Sequence, residues 1–198
     1  MSNYLSETES LRAEIAAAAA RMIAEDGADY SSAKRKAARQ ILGSAKVPGN
    51  ILPDNAQIEN EVRLYQELFL SESQPARLLH LRKLALQLMT DLAQFNPYLT
   101  GAAFNGTAGE YSDIYIQLFT ESPKEVQIFL LNKNVMFEVS ETPHFRRGHP
   151  PVETVSFLFE KEGIHLVLYE LDDLRGARGP ERADIDSVRA LILESQAT

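Results

Sequence analysis

Leu99 to Phe119, LTGAAFNGTAGEYSDIYIQLF, is the stretch whose reading decides the fold. Gly106-Thr107 is followed after a short spacer by Ser112-Asp113, and Asp113 opens an apolar run rich in β-branched and aromatic residues. Glycine lets backbone N–H groups approach an anion, a hydroxyl adds a donor, and a carboxylate on the next strand can hold a divalent cation against the same phosphates. The spacing therefore predicts a phosphate-cradling loop at Gly106, Thr107 and Ser112 that feeds a metal-binding carboxylate at Asp113. The plain alternative is a turn between two strands, since glycine is a general turn residue.

Upstream of this stretch the chain reads as helical. Ser6-Glu7-Thr8-Glu9 has the pattern of a capping box, Leu11, Ile15, Ala18 and Met22 recur at helical spacing, and Gly27 is placed to end that helix. Asp29 caps a second helix through Leu42, and Gly43 to Pro53 is a connector rich in Gly, Pro and Asn. Asp54 with Gln57 forms another capping box before a stripe of Ile58, Val62, Tyr65 and Phe69. A broad apolar face from Pro75 to Phe95 predicts a central buried helix, stopped by Asn96-Pro97.

Downstream the period shortens. Tyr98–Asn105, Ser112–Thr120, Val126–Leu131, Val135–Val139, Glu153–Glu160 and Ile164–Leu171 read as strands separated by turn signals, and a last helix is expected from Pro180-Glu181 to about Glu194. The fold class is α+β: an N-terminal helical segment over residues 1–52, then an α+β domain over 53–198 with a mixed five- or six-stranded sheet and a C-terminal helix.

The order Gly106-Thr107, spacer, Asp113 resembles the motif of the nucleotidyltransferase superfamily typified by DNA polymerase β. The words NGTAGE and SDI with a later IFLLN are also similar to short bacterial proteins described as nucleotidyltransferase-like or as muramate–alanine ligases. The ligase reading fails, because the chain has no Gly-Lys-Ser or Gly-Lys-Thr phosphate loop. The resemblance implies transfer of a nucleoside monophosphate from a nucleoside triphosphate to a hydroxyl, with Mg²⁺ held by Asp113. The superfamily carries a second acid two residues on, and here that position is Tyr115, a phenol with a pKa of about 10. A third acid is expected on Val126-Gln127-Ile128, where Gln127 stands. Glu110 and Glu125 are the candidate stand-ins, and Arg146 or Arg147 would stabilise leaving pyrophosphate. A degenerate member that binds nucleotide or protein without catalysis is the rival reading, favoured by Tyr115 and Gln127.

Other segments carry weaker signals. The loop HFRRGHPP, His144 to Pro151, combines two histidines with two guanidinium groups suited to phosphate, but has no carboxylate or third histidine at ligand spacing, so no metal is expected there. Lys34, Arg35, Lys36 and Arg39 crowd the second helix and suggest an RNA-binding adaptor as a third reading, although such a run is usually a solvated face. Asp172-Asp173 reads as a polar exit loop, and His80 and His165 read as structural.

Composition narrows the field. The 198 residues, 44% hydrophobic, suffice for an ordinary core, and the absence of cysteine removes disulfides, thiolate metal sites and cysteine nucleophiles. The formal charge is −8, with 9 basic against 16 acidic residues over 96–198, which disfavours non-specific nucleic-acid binding. MSNYLSETES has no basic, then apolar pattern of a leader, and no stretch is long enough to span a bilayer, so a cytoplasmic setting without membrane contact is expected.

Overall fold

The computed structural model describes residues 2–43, 48–175 and 181–197. Its elements are α1 (Ser2–Asp26), α2 (Tyr30–Leu42), α3 (Asn55–Phe69), α4 (Gln74–Asp91), β1 (Tyr98–Thr100), α5 (Gly101–Asn105), β2 (Ile114–Thr120), α6 (Pro123–Asn132), β3 (Glu138–Thr142), β4 (Val152–Phe159), β5 (Glu162–Glu170) and α7 (Ile185–Ala197). Among the described residues no helix is long and apolar enough to cross a membrane. The class is α+β as expected: N-terminal helices, a mixed five-stranded sheet and a C-terminal helix.

The chain divides into two compact units, one running up to Pro75 and including Gly109–Tyr111, the other made of Ala76–Ala108 and the chain from Ser112 onward. The division falls one helix later than residue 52, because α3 packs with α1 and α2: Ile58 and Val62 share a core with Ile15, Ala16, Ala19, Ala20, Ala33, Ala37 and Ala38. Alanine at so many core positions lets the helices lie close. The caps are those the sequence announces. Ser32 N donates to Asp29 Oδ1 at 2.9 Å, and Asp54 and Gln57 exchange both bonds of their box at 2.8 and 3.0 Å. Gly27 ends α1 at φ +66°, where a Cβ would meet the Tyr111 side chain at 2.6 Å. Two readings change: α1 begins at Ser2, so residues 6–9 lie inside it, and Phe69 is 67% exposed instead of buried.

In the second unit the strand order is β1-β2-β5-β4-β3, with β2 and β5 parallel and every other pair antiparallel. Period-two alternation sends Ile114, Ile116, Leu118, Ile164, Leu166, Leu168, Val155 and Phe157 into one core with Leu81, Ala85, Leu88 and Met89 of α4 and Val188 and Ile192 of α7. On the opposite face, Phe119, Val167 and Tyr169 are buried under Phe145, Leu171 and Leu174. Toward the start of β2 that face is open, at Tyr115, Ser156 and His165.

Four expected elements differ. Tyr98–Asn105 is a strand only to Thr100: Gly101 turns at φ +68° and the Ala-containing segment winds into α5. Val126–Leu131 is not a strand but most of α6, with Pro123 in its first turn and Val126 and Leu130 buried one helical turn apart; a short apolar run fits either period, and Pro decides it. The strand expected at 135–139 is displaced to Glu138–Thr142. The last helix starts at Ile185, where Asp184 Oδ1 accepts from Ser187 N at 2.8 Å; Glu181 lies outside it and Pro180 falls outside the described residues.

Two charged side chains fasten helices in this unit. Arg82 of α4, 6% exposed, donates to the carbonyls of Ala103 and Phe104 at 2.9 and 3.0 Å and to Ser195 Oγ at 3.1 Å, so it caps the end of α5. Burial lowers its pKa, yet a guanidinium stays charged. Arg82→Leu strands two carbonyls in the core and is expected to cost about 3 kcal/mol in urea unfolding. Arg77 of α4 donates to Glu162 Oε2 at 2.6 Å, and His80 Nε2 lies 3.2 Å from Glu162 Oε1. Chiefly through Arg77, the Glu162 carboxyl is held below its ordinary value of 4.5. A depressed carboxyl stabilises the fold above its unfolded pKa and loses that contribution as pH falls through the folded one. Glu162→Gln is therefore expected to be less stable than the parent at neutral pH, with the gap closing progressively below pH 4.5 in pH-dependent denaturation.

Candidate functional site

The glycine loop is spent on ending a helix. Gly106, at φ +90°, donates its N–H to Ala102 O at 3.0 Å, and Ala108 N donates to the same carbonyl at 3.1 Å. Thr107 N and Oγ1 both donate to Asn105 Oδ1, at 3.0 and 2.7 Å, and Thr107 is only 5% exposed. The amides that would face an anion thus point into the loop itself.

Asp113 and Ser112 lie half-buried just before β2, and Glu110 falls in the preceding segment Gly109–Tyr111. Glu125 accepts from Thr120 Oγ1 at 3.2 Å, at the far end of β2, and Thr120 is about 23 Å from Asp113 at 3.3 Å per residue. Gln127 is on α6 and donates to Glu153 at 2.7 Å. Tyr115 is stacked on His165 with ring centroids 4.5 Å apart; burial first, and the Asp113 charge second, push its phenol pKa up.

What Asp113 does meet is histidine. Its Oδ2 lies 2.9 Å from His165 Nε2, and His165 Nδ1 lies 2.8 Å from Ser156 Oγ. A carboxylate only accepts, so Nε2 carries the proton, which leaves Nδ1 as the acceptor for the Ser156 hydroxyl. The backbone sets this row: Tyr115, His165 and Ser156 are directly paired across β2, β5 and β4 on one sheet face. Gly163 makes room for the carboxylate, since a Cβ there would stand 2.6 Å from Asp113 Cγ. Asp113, His165 and Ser156 line an open groove of about 890 Å³ whose lining also includes Glu138, Lys161, Phe157 and the strongly exposed Met136 and Leu158.

The histidine–arginine loop gains a carboxylate that its sequence lacks. Donor atoms of His144, His149 and Asp173 lie within 4.8 Å of one another, close enough to share a metal ion. The hydrogen bonds favour another role. Arg146 N donates to His144 Nδ1 at 2.9 Å, so Nε2 holds the proton and donates to Asp173 Oδ2 at 3.2 Å, and the Arg146 guanidinium lies 3.2 Å from Asp173 Oδ1. A proton and a guanidinium occupy the places a cation would take, and two imidazoles do not suit the oxygen-loving Mg²⁺. Arg146 also donates to the carbonyls of Asp173 and Arg175 at 3.2 and 3.0 Å, pinning the loop, while Arg147 is exposed.

No family model, curated protein or solved structure matches this chain.

Of the residues expected to act on a ligand, Asp113 lies in the groove; His165, expected to be structural, lines it too, together with Ser156 and Lys161. No local sequence signal marked the pairing, since Glu-Lys is not a turn-favouring pair. The two-residue turn Glu160-Lys161, both at positive φ, fixes a hairpin register that pairs Ser156 with His165 on the polar face. Gly163→Ala is expected to push Asp113 off the imidazole, which removes the hydrogen-bonded Nε2–H proton signal of His165 in NMR spectra while the β-sheet signals persist.

Proposed function

We propose that this chain is a metal-independent binding module, nucleotidyltransferase-like only in the layout of residues 104–119, whose groove takes a ligand with a carboxyl or carbonyl head and an apolar body. The observation that carries the reading is the commitment of Asp113 to His165. Two-metal transfer needs a second carboxylate beside the first. Glu138, on β3, is two strands from the β5 residues Gly163 and His165 against which the Asp113 carboxylate lies, about 10 Å at 4.8 Å per strand. Tyr115 fills the register of the missing acid.

The lining supports the ligand class. The Lys161 ammonium in the lining offers charge and hydrogen-bond donors to an oxygen-bearing head. Met136, 91% exposed, and Leu158, 76% exposed, leave apolar surface in water that a ligand body would cover. A cytoplasmic setting belongs to the same proposal, and nucleoside triphosphate and nucleic acid are the rival ligands.

Calorimetric titration with octanoate tests the reading. Saturable binding is expected, weakened about tenfold or more in Leu158→Glu, where a charge replaces apolar surface. ATP with Mg²⁺ is expected to give no pyrophosphate. Failure of octanoate to bind, or Mg²⁺-dependent pyrophosphate release abolished by Asp113→Ala, overturns it.

A further inference from the structure

We infer that Ser156 is a base-activated nucleophile that accepts the acyl group of a carboxylic ester bound in the groove. The inference rests on the binding reading above and extends it from recognition to chemistry. A serine hydroxyl is a weak nucleophile until a neighbouring base takes its proton, and the base must be in the tautomer with a free lone pair. Ser156 Oγ lies 2.8 Å from His165 Nδ1, and Asp113, 2.9 Å from Nε2, fixes that tautomer. The roles are those of a Ser-His-Asp triad with the two ring nitrogens exchanged; such sites are recognised by geometry and role and not by chain order.

The supports are rigid. Ser156 and His165 are register partners on β4 and β5, Tyr115 stacks on the ring from β2, and Gly163 admits the carboxylate beside it. Both side chains are half-buried and line an open groove, so a substrate can reach them. Lys161 lines the same groove and brings to it a positive charge of the sign that stabilises a developing oxyanion.

In the step, Ser156 Oγ bonds to the ester carbonyl carbon as its proton passes to His165 Nδ1. The carbon–alkoxy bond then breaks, and the alkoxide leaves as an alcohol with that proton. Water attacks the acyl-serine next, His165 takes its proton and returns it to Ser156 Oγ, and a carboxylic acid departs. Asp113 is a positioning residue: it holds the imidazolium through Nε2–H and never touches substrate.

A fluorophosphonate probe followed by peptide mass spectrometry, with p-nitrophenyl octanoate for turnover, tests this on the full chain. The expected result is a single label on Ser156, absent in Ser156→Ala, with labelling slowed about 100-fold in His165→Gln. In Asp113→Asn the amide can donate to Nε2, so nitrogen NMR should show the His165 proton moved to Nδ1 and labelling should slow to a similar degree. No label on Ser156, or a label indifferent to His165→Gln, overturns the inference. If octanoate binds but no label forms, the chemistry fails and the binding reading stands; if octanoate does not bind, the binding reading itself falls.

Discussion

The parallel pairing of β2 with β5, from Ile114 against Ile164 to Thr120 against Glu170, is the constraint on which the second unit depends. Parallel neighbours cannot be joined by a tight turn, so the chain between them must leave the sheet and return. Here it does so through α6, whose Val126 and Leu130 join the core beneath α4 and α7, and through the β3–β4 hairpin, which lies toward one edge of the sheet. One face of the pair packs against α4 and α7. The other is covered at one end and open at the other, and the open end is where the groove lies.

The same pairing explains why the groove holds a histidine opposite Asp113. Residues before β2 meet residues at the start of β5, and the turn into β5 supplies Gly163 at the point of closest approach. That turn is built from Glu160 and Lys161, both in the left-handed region that favours glycine or asparagine. Non-glycine residues there cost on the order of 1 kcal/mol each. The strain sits beside the groove, with Lys161 directed to its lining. Such local cost is tolerated where the surrounding ladder over-determines the backbone, as the six register pairs of β4 with β5 do here.

Buried charge in this unit works by fastening elements. Arg82 closes the end of α5 and links it to α7, Arg77 ties α4 to the start of β5, and Arg146 with His144 and Asp173 secures the loop before β4 to the turn after β5. In each case the cation serves backbone carbonyls or a partnered carboxylate, which is why groups that look like phosphate or metal ligands in the sequence are occupied in the fold. Gly106 and Thr107 follow the same logic with neutral groups: their hydrogen bonds terminate a five-residue helix.

Local chemistry made much of the architecture legible from the sequence alone. Asp29, Asp54 and Gln57 announced the helix starts because capping involves residues three apart, and the alternating runs of β2, β4 and β5 announced a sheet because side-chain period is a property of the strand itself. Val126–Leu131 reads as a strand but is helical, because a short apolar run suits both periods and Pro123 in the first turn, with Val126 and Leu130 buried one turn apart, favours the helix. The meeting of Asp113 with His165, and of His144 with Asp173, was decided only by the tertiary structure. These partners are 52 and 29 residues apart, and no periodicity or spacing rule reaches across a parallel crossover or a loop closing on the turn beyond β5.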